Sequence, residues 1–591
     1  MALSLKREIL TQLKRIGLNL EKSQMLKIMP TDSSVKRIGQ TFYIDLPTER
    51  DSIMSINDDF LKTLKNSSSS LIKNVEIGPI NVNSLATNIM MLEIDFETLV
   101  KHLFKNLRKK NLMESFIEHR QLIDHRDKEK IIVEYSSPNI AKPFHVGNLR
   151  STIIGNSVAN ILEFHGHDVI RMNYLGDWGT QFGILSLAFD QFGDPNQLQQ
   201  EPLKHLFNVY VEGNRQCELN SDWKNQAKNR FYQLEQSRND DSSEVYKQWY
   251  QFRQLSYEEL EKLYKRLGIR FDQYESESMY SDQSVKDVIK MLQQLIKTVD
   301  GATVAEVNDH NDPMKKISIP LLKNDGTSLY LTRDLAAVMN RRKQFNFNRL
   351  YYVVDSSQSK HFNNLKSIFS SLDDPVYRDL KHLKFGRILG MSTRKGEAIF
   401  LDDVLNEAKN RALEAIKTSP SNTKIPNELY EQIADILGVT AIIVNDLSNR
   451  RVSEYRFNWN RALKMNGNTG ISLQYTHARL CNLIKNFNID DDEIESSLDM
   501  AAIDTMEGRN LINQMLMFDE MIDRAYDQLE PSILTNYLFD LKTAINRANQ
   551  ELTIKGQTQQ IQQTRLSLFI CAKNVLNQCM RLIGLQPLES M

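Results

Sequence analysis

A single strand–helix–strand unit constrains the fold of this chain more than any other stretch of its sequence. The apolar run IIVEYSS at 131–137 indicates a buried strand, and apolar residues then recur at helical spacing from Leu149 to Leu162 until Gly166 ends the helix. A second apolar run, DVIRMNYLG at 168–176, follows directly. Strand, helix and strand within roughly forty residues predict a βαβ unit, and hence a parallel sheet that binds ligands at the carboxyl ends of its strands.

The connection between the first strand and the helix has the composition of a phosphate-binding turn. It places Lys142, His145, Gly147 and Asn148 close together at the carboxyl end of the strand. A helix N-terminus there offers free backbone N–H groups, and Gly147 lets a ligand approach the backbone. His145 and Asn148 are three apart, so both can reach one phosphate. Neither GxxxxGKS/T nor GxGxxG occurs, so a nucleotide here is held without a Walker loop or the common dinucleotide fingerprint.

Composition restricts the class of protein. At 591 residues the chain exceeds one ordinary core, and about three or four domains are expected. Lys and Arg number 74 against 75 Asp and Glu, so any nucleic-acid contact must come from local patches. No apolar run approaches the roughly 18 residues of a membrane span, which predicts a soluble protein without a membrane partner. The four cysteines lack CxxC spacing, so no structural zinc or other metal site is expected.

Shifts in composition divide the chain into three predicted domains. Residues 1–128 indicate a small mixed α/β domain, and residues 129–404 carry the parallel sheet. A charged, largely helical insertion interrupts the sheet at about 190–265. Residues 405–591 contain long amphipathic stretches with few strand signals, which is typical of a helical domain. The sheet is expected to resume after the insertion in two apolar runs, SIPLL at 318–322 and RLYYVVD at 349–355.

A series of ordered motifs carries a family resemblance. These motifs are SSPNIAKPFHVGNLRSTIIGN, RMNYLGDWGTQFG, LYLTRD, YYVVDSSQSKHF, GMSTRKGEAIFLDDVL, GNTGISLQYTHARL and MRLIGLQPLESM. They resemble the arginyl-tRNA synthetases, class I aminoacyl-tRNA synthetases whose first signature is His-x-Gly-His, and the resemblance covers nearly everything from about residue 130 onward. It implies an α/β fold with a Rossmann-like catalytic domain and helical insertions, an N-terminal α/β domain and a C-terminal all-α anticodon-binding domain.

The resemblance also implies an activity and its partners. An arginine–tRNA ligase activates L-arginine with ATP to arginyl-adenylate and transfers it to the 3′-terminal adenosine of tRNA(Arg). ATP with Mg²⁺ is then a substrate rather than a tightly bound cofactor, and a monomer is expected. One alternative is a catalytically weak or silent tRNA-binding paralogue, because Asn148 and Ser472 depart from the family pattern. A second is another class I nucleotidyl-transfer enzyme that uses the same turn.

By resemblance, the first signature consists of His145, Gly147 and Asn148, with Asn148 standing where the family has a second histidine. Asparagine can still donate one neutral hydrogen bond. The loop GMSTRKG at 390–396 matches the second signature, Lys-Met-Ser-Lys-Ser, but has neither lysine in register, so Lys142 is expected to replace one of them at the pyrophosphate. The implied catalytic residues are Lys142, His145, Asn148, Arg394 and Lys395. The implied ATP-binding residues are His145, Gly147, Asn148, Met391 and Ser392.

The substrate guanidinium presents five donors and no acceptor, so its pocket requires carboxylates. The resemblance assigns Tyr330 and Asp334 to the guanidinium. It assigns Glu134 and Asn139 to the ammonium end and backbone of arginine, and Gln358 to the same pocket. Lysine would leave part of this site unpaired.

The resemblance makes Tyr475 and Arg479 of LQYTHAR candidate contacts to anticodon-loop bases. Ser472 stands where close relatives often have an aromatic, which puts one stacking contact in doubt. The stretch 449–464 interleaves basic and aromatic residues. It fits either single-stranded RNA binding or a solvated face over core aromatics.

The first residues bear on the compartment. Leu5, Ile9, Leu13 and Ile16 recur at helical spacing among basic residues, which fits either a short mitochondrial transit helix or the first helix of a domain. This short basic N-terminus resembles mitochondrial forms of the family. The mitochondrial matrix is therefore the expected location, with the cytoplasm as the alternative.

Overall fold

The computed structural model describes most of the chain. The described residues are 27–28, 41–45, 72–82, 85–108, 111–124, 127–140, 144, 146–280, 282–324, 326–389, 400–418, 426–487 and 498–591. The expected amphipathic helix at 5–16 lies outside the described residues. So do six of the predicted site residues, namely Lys142, His145, Met391, Ser392, Arg394 and Lys395.

An antiparallel sheet and two helices form the N-terminal part. The strands are β1 (Lys27–Ile28), β2 (Thr41–Asp45), β3 (Ile72–Val82) and β4 (Leu85–Ile94), in the order β1-β2-β4-β3. The helices are α1 (Phe96–Leu107) and α2 (Leu112–Asp124). Asp95 caps α1, since its carboxylate accepts from the Thr98 backbone N–H at 3.0 Å. The expected N-terminal α/β arrangement is confirmed.

Ten further strands follow in the described part of the chain. They are β5 (Lys130–Glu134), β6 (Asp168–Leu175), β7 (Gln273–Ser276), β8 (Ile296–Val299), β9 (Ala302–Asp309), β10 (Asp312–Leu322), β11 (Arg349–Tyr352), β12 (Leu380–His382), β13 (Ile388–Leu389) and β14 (Tyr455–Arg456). They build a five-stranded parallel sheet, a three-stranded antiparallel sheet and a two-stranded parallel sheet.

The remaining helices fall into two groups. Those before residue 390 are α3 (Val146–Phe164), α4 (Thr180–Phe192), α5 (Pro195–Gln200), α6 (Pro202–Leu219), α7 (Ser221–Gln236), α8 (Glu244–Arg266), α9 (Asp282–Met291), α10 (Tyr330–Phe345), α11 (Ser359–Ser371) and α12 (Val376–Asp379). Those after it are α13 (Leu401–Thr418), α14 (Tyr430–Leu447), α15 (Trp459–Ala462), α16 (Gly470–Lys485), α17 (Met506–Leu516), α18 (Phe518–Gln528), α19 (Ser532–Glu551) and α20 (Gln559–Leu582).

The five-stranded sheet, in the order β12-β11-β5-β6-β7, is parallel throughout. Helix α3 connects β5 to β6, as the βαβ pattern predicts. The chain runs from β5 through β6 to β7 on one side, whereas β11 and β12 lie on the other side of β5. This reversal leaves a crevice at the carboxyl ends of β5 and β11, the place where open α/β sheets bind ligands. The Rossmann-like fold class is therefore confirmed.

The two apolar runs after the insertion belong to different sheets. RLYYVVD includes β11 of the parallel sheet, as expected. SIPLL lies in β10, which pairs antiparallel with β9 in the separate sheet β10-β9-β8. The expectation for SIPLL was wrong because a short apolar run indicates a strand without saying which sheet it joins.

Helix α20 packs its C-terminal end against α3. The Ser157 hydroxyl donates to the Leu582 carbonyl at 3.1 Å, and Asn160 Nδ2 donates to the Arg581 carbonyl at 3.1 Å. These side chains satisfy carbonyls that a helix end leaves without intrahelical partners. One apolar core runs from α3 into the C-terminal helices, while a second core covers the opposite face of the sheet. Among the described helices, none has the length and apolarity needed to cross a membrane.

Candidate active site

The turn that follows β5 is locked at the crevice by three neighbouring elements. Ser136 and Ser137 adopt positive φ angles of 73° and 43°, which cost non-glycine residues about 1 kcal/mol or more each. The Ser136 N–H donates to Ser151 Oγ on α3 at 3.0 Å, and that hydroxyl donates to the Val353 carbonyl at 2.6 Å. The Ser137 N–H donates to Asn173 Oδ1 on β6 at 3.1 Å. These contacts hold the strained turn in place.

Helix α3 begins at this turn. Gly147 is exposed in its first turn and Asn148 is half-buried. Asn148 Nδ2 donates to the Ser136 carbonyl at 3.3 Å, which ties the helix to the strained turn. Backbone N–H groups at a helix N-terminus favour an anionic ligand. The predicted ATP-binding residues Gly147 and Asn148 therefore lie where a phosphate would bind.

Helix α10 carries the two residues predicted to bind a guanidinium. Tyr330 and Asp334 lie one turn apart, with Tyr330 64% exposed and Asp334 half-buried. His361 Nε2 on α11 donates to Asp334 Oδ2 at 2.6 Å, which orients the carboxylate. Gln358 is exposed in the 3-10 turn Ser356–Gln358, shortly after β11.

Glu134, at the end of β5, has a guanidinium partner within the chain. Arg341 Nη1 donates to Glu134 Oε2, and Arg341 Nε donates to Glu275 Oε2 at 2.8 Å. All three side chains are buried. Burial raises the pKa of Glu134, Arg341 opposes that rise, and the nearby charge of Asp334 adds to it. The second oxygen of Glu134, Oε1, accepts a hydrogen bond from Ser137 Oγ at 3.3 Å. Glu134 and Glu275 thus share Arg341 as one buried cation.

Glu277 is a further carboxylate at the carboxyl edge of the parallel sheet, and none of the sequence motifs singled it out. Its side chain is 14% exposed in the 3-10 turn Glu277–Met279 directly after β7. Burial is the main cause that raises the pKa of Glu277 to about 8. The positive charge of Arg333, 4.0 Å away, lowers this pKa, and the negative charge of Asp334 raises it further. The pKa of Tyr330 is raised mainly by burial, and the negative charge of Glu277 raises it further. The sequence signal that could have found Glu277 is its place at the carboxyl end of a parallel strand.

Asp177 fixes the turn that carries Glu277. The fully buried Asp177 carboxylate accepts from the Ser278 N–H at 2.8 Å and from the Ser278 hydroxyl at 2.7 Å. It also accepts from Arg253 Nε on α8 at 2.8 Å, while Trp249 Nε1 donates to the Asp177 carbonyl at 2.8 Å. The helical insertion therefore supports the pocket directly.

Asn139 lies close to Asp177, between the end of β6 and the start of α4. Its Nδ2 donates to Gln181 Oε1 on α4 at 3.0 Å. The Gly176 N–H donates to the Pro138 carbonyl at 3.0 Å, so the Asn139 segment runs along the end of β6. Glu134, Asn139 and Gln358 thus lie at or shortly after the carboxyl ends of β5 and β11, whereas Tyr330 and Asp334 lie on α10, which the Asp334–His361 contact joins to α11.

Comparison with known proteins identifies the family. Residues 111–459 match the model for the catalytic domain of class I (R) tRNA synthetases, and residues 473–591 match the DALR anticodon binding domain. The probable mitochondrial arginine–tRNA ligase of Homo sapiens is 38% identical over 462 residues, covering 78% of each chain. The chain belongs to the arginyl-tRNA synthetase family.

Two further relatives extend this likeness. The probable cytoplasmic arginine–tRNA ligase of Dictyostelium discoideum is 36% identical over 487 residues, covering 78% of this chain and 81% of the relative. The solved Thermus thermophilus arginyl-tRNA synthetase shares the fold with a TM-score of 0.75 at 20% identity, covering 100% of this chain and 99% of that one. Mitochondrial and cytoplasmic relatives are thus about equally similar to this chain.

Helix α16 carries on its outer face the two residues predicted to contact the anticodon loop. Tyr475 is 49% exposed and Arg479, one turn later, is also exposed. The inner face holds the C-terminal segment: Gln474 Nε2 donates to the Gln586 carbonyl at 2.8 Å, and His477 Nδ1 lies 2.8 Å from the Leu588 carbonyl. The inner face of α16 therefore supports the C-terminal segment, and the outer face, with Tyr475 and Arg479, is open to solvent.

Ser472 lies on the buried side of α16. Its hydroxyl donates to the Gly467 and Thr469 carbonyls, each at 2.8 Å, and Lys542 Nζ donates to the same Gly467 carbonyl at 2.7 Å. Ser472 and Lys542 are both buried. Ser472 therefore shapes the preceding loop and offers no stacking surface.

In the basic stretch 449–464, aromatic residues lie in the core and most basic residues lie in solvent, which fits the solvated-face alternative, while RNA binding stays a prediction. Phe457 is buried and packs edge to face against Trp459, with ring centroids 4.8 Å apart. Arg451 donates to the Lys384 carbonyl. These three side chains stabilise the fold. Four basic residues of the stretch are exposed, namely Arg450, Arg456, Arg461 and Lys464.

Proposed function

We propose that this chain is an arginine–tRNA ligase that activates L-arginine with ATP and transfers it to the 3′-terminal adenosine of tRNA(Arg) for translation. The observation that carries the proposal is the grouping of Asp334 and Tyr330 on α10 with Glu277 in the turn after β7, where Arg333, the residue before Asp334, lies 4.0 Å from Glu277. Two carboxylates and an aromatic ring match a planar guanidinium with five donors. An ammonium group has fewer donors and no planar fork, so lysine would leave acceptors unpaired.

The arginine carboxylate attacks the α phosphate of ATP, and pyrophosphate leaves. We assign Gly147 and Asn148, with the N-terminus of α3, to the phosphates of ATP. Mg²⁺ accompanies ATP as part of the substrate and would neutralise phosphate charge. Fixed cations stabilise the charge that grows on the leaving pyrophosphate. The residues proposed for these nucleotide contacts from the signatures are Lys142, His145, Met391, Ser392, Arg394 and Lys395.

Within the arginine pocket, we assign Asp334 and Glu277 to the guanidinium and Tyr330 to stacking on it. Asn139 and Gln358 are assigned to the backbone end of the substrate. Glu134 supplies negative charge near the substrate ammonium from its buried position on Arg341.

In the transfer step, the 2′- or 3′-hydroxyl of the terminal adenosine attacks the arginyl carbonyl, and AMP leaves. Little acid–base chemistry is required of the protein, because placing the two reactants supplies much of the acceleration. Tyr475 and Arg479 are assigned to stacking on, and contacting, anticodon-loop bases, since both are exposed on one face of α16.

Asn148 decides between an active ligase and a silent paralogue. We expect the wild-type protein to charge tRNA(Arg) with labelled arginine but not with lysine. We expect Asn148→His to retain activity and Asn148→Ala to lose about 100-fold in kcat, because only alanine removes the side-chain donor. A wild type that binds tRNA yet charges nothing, with charging restored by Asn148→His, would identify a silenced synthetase.

Glu277 makes arginine binding depend on pH. Its raised pKa of about 8 means that it is mostly protonated at pH 7 before arginine arrives, and binding a guanidinium requires the carboxylate. We expect the KM for arginine to fall about tenfold between pH 7 and pH 8.5, as the carboxyl ionises through its folded pKa. Calorimetry in buffers of different ionisation enthalpy should show proton release at pH 7. The Glu277→Gln variant should bind arginine more weakly than wild type and without releasing a proton. If wild type releases no proton on binding arginine, Glu277 does not contact the guanidinium.

We also propose the division of the chain into an N-terminal tRNA-contacting domain (1–128), a catalytic domain (129–404) and an anticodon-binding domain (405–591). We propose that the protein is a monomer, which sedimentation of the purified protein tests through its molecular mass.

The mitochondrial matrix is proposed as the location, on the basis of the basic, amphipathic N-terminal residues. Fractionation of cells that express the full chain, beside a variant with Lys6, Arg7, Lys14 and Arg15 replaced by glutamate, tests this. A cytosolic distribution of both proteins would favour the cytoplasm.

A further inference from the structure

Arg150 on α3 is 1% exposed, and its guanidinium is surrounded by acceptors from outside the five-stranded sheet. Nη1 donates to the carbonyls of Gly386 and Ser453, the latter at 2.8 Å. Nη2 donates to the Arg450 carbonyl at 3.4 Å. A planar guanidinium can hold several fixed carbonyls at once, which an ammonium group cannot match.

Asp446, near the end of α14, completes this environment. Its Oδ1 lies 3.1 Å from Arg150 Nε, and both side chains are at most 2% exposed. Burial raises the pKa of Asp446 to about 6, while the charge of Arg150 lowers it. Arg150 also lies 5.1 Å from the centre of the Tyr455 ring. Removing either charge would leave the other buried without its partner.

The carbonyls held by Arg150 belong to the backbone that frames β13 and β14. The Tyr455 N–H donates to the Arg387 carbonyl at 3.2 Å, and the Phe457 N–H donates to the Leu389 carbonyl at 3.0 Å. These bonds join the two strands in parallel. In the sequence, the predicted second signature begins directly after Leu389.

Gly386 allows the two backbones to approach closely enough for one guanidinium to reach both. Its N–H donates to the Arg451 carbonyl at 3.1 Å. A Cβ atom at Gly386 would lie 2.7 Å from the Ser453 carbonyl carbon, so any larger residue would push the segments apart. Arg150 therefore sits where α3, β13 and the loop before β14 meet.

We propose that Arg150 is a positioning residue for arginine activation, holding β13 and the 450–455 loop against the helix that begins at the first signature. The inference rests on the proposed function, because it assumes that both signatures act on one ATP. Misplacing reacting groups by about 1 Å can cost about 100-fold in rate. The contacts of Arg150 described above go to none of the elements that carry the arginine pocket. Its loss should therefore lower kcat and leave the KM for arginine unchanged.

Arg171 provides a matched control. It is also 1% exposed and is also bonded to α3, through Asn156 Oδ1 at 3.1 Å and Asn160 Oδ1 at 2.8 Å. These contacts lie near the middle of the helix, away from β13. Arg171 lies on β6, so Arg171→Lys tests the loss of a buried guanidinium that contacts the same helix.

The experiment is ATP–pyrophosphate exchange by the full chain in the presence of tRNA, with thermal unfolding of each variant. For Arg150→Lys we expect kcat to fall about 10- to 100-fold, with the KM for arginine within twofold of wild type. Asp446→Asn should shift kcat in the same direction. Arg171→Lys should lower the unfolding midpoint while keeping kcat within about threefold. Equal losses of kcat in Arg150→Lys and Arg171→Lys would overturn the proposal.

Hydrogen–deuterium exchange separates failure of this inference from failure of the proposed function. Arg150→Lys should speed exchange at the amides of Gly386, Tyr455 and Phe457 and leave the amides of β5 protected. If those three amides stay protected, Arg150 does not position the strands, whatever the activity. If they exchange faster but the wild type shows no arginine-dependent reaction, the proposed function fails and the inference about activation falls with it.

Discussion

Replacing Asp334 by asparagine is expected to lower kcat/KM for arginine by about 1000-fold. Truncating one partner of a buried charge pair costs about 2–5 kcal/mol, and the substrate guanidinium would lose its ionic partner on α10. The asparagine carbonyl can still accept the hydrogen bond from His361, so the pocket should keep its shape. ATP–pyrophosphate exchange at varied arginine measures the effect, and the KM for ATP should stay within twofold.

Asp287→Asn is the matched control for this substitution. Asp287 is exposed on α9, which packs in the same apolar core as α10, and its replacement removes the same charge away from the pocket. It should behave as wild type. A loss of less than tenfold in Asp334→Asn would mean that the guanidinium is bound elsewhere.

Arg341→Met is expected to lower the free energy of unfolding by about 3–5 kcal/mol, because it leaves two buried carboxylates, Glu134 and Glu275, without their shared cation. Denaturant unfolding measures this. Arg342→Met is the control: Arg342 is the next residue, its side chain is 45% exposed, and its ion pair with Asp374 should contribute less than about 1 kcal/mol. Similar losses in the two variants would contradict the shared-cation account.

The Arg341→Met defect should also depend on pH. Arg341 lowers the pKa of Glu134 against the larger effect of burial, so its removal raises that folded pKa further. A carboxyl whose pKa is raised on folding favours the folded state at low pH and loses that contribution as pH rises through the folded pKa. The defect should therefore be smaller at pH 5 than at pH 8.

The sequence predicts those helices and strands whose apolar residues, as spaced along the chain, are also the residues buried in the folded protein. Helix α3 and strands β5, β6 and β11 follow from apolar periodicity and turn residues, because each buries the face that its pattern marks. Strand β8 and the first half of β10 are harder to recognise because most of their residues are exposed, so apolar alternation is weak there.

The candidate site divides in the same way. Tyr330 and Asp334 stand in one motif and lie one turn apart, so sequence suffices to pair them. Arg341 and Glu134 are 207 residues apart, and Arg150 and Ser453 are 303 apart. Nothing local to either arginine shows what its guanidinium meets, because those contacts exist only after the sheet and the C-terminal helices have packed.

The contact between α3 and α20 has a consequence for synthesis on the ribosome. Ser157 and the Leu582 carbonyl that it contacts are 425 residues apart, so this face of α3 has no α20 to pack against until the chain has grown by that length. At about 5–20 residues per second, the interval is about 20–85 s. Exposed apolar surface on α3 would need chaperone protection during that time. The catalytic domain would reach its final packing only when the anticodon-binding helices are also present, so a half-made synthetase would have little chance to act.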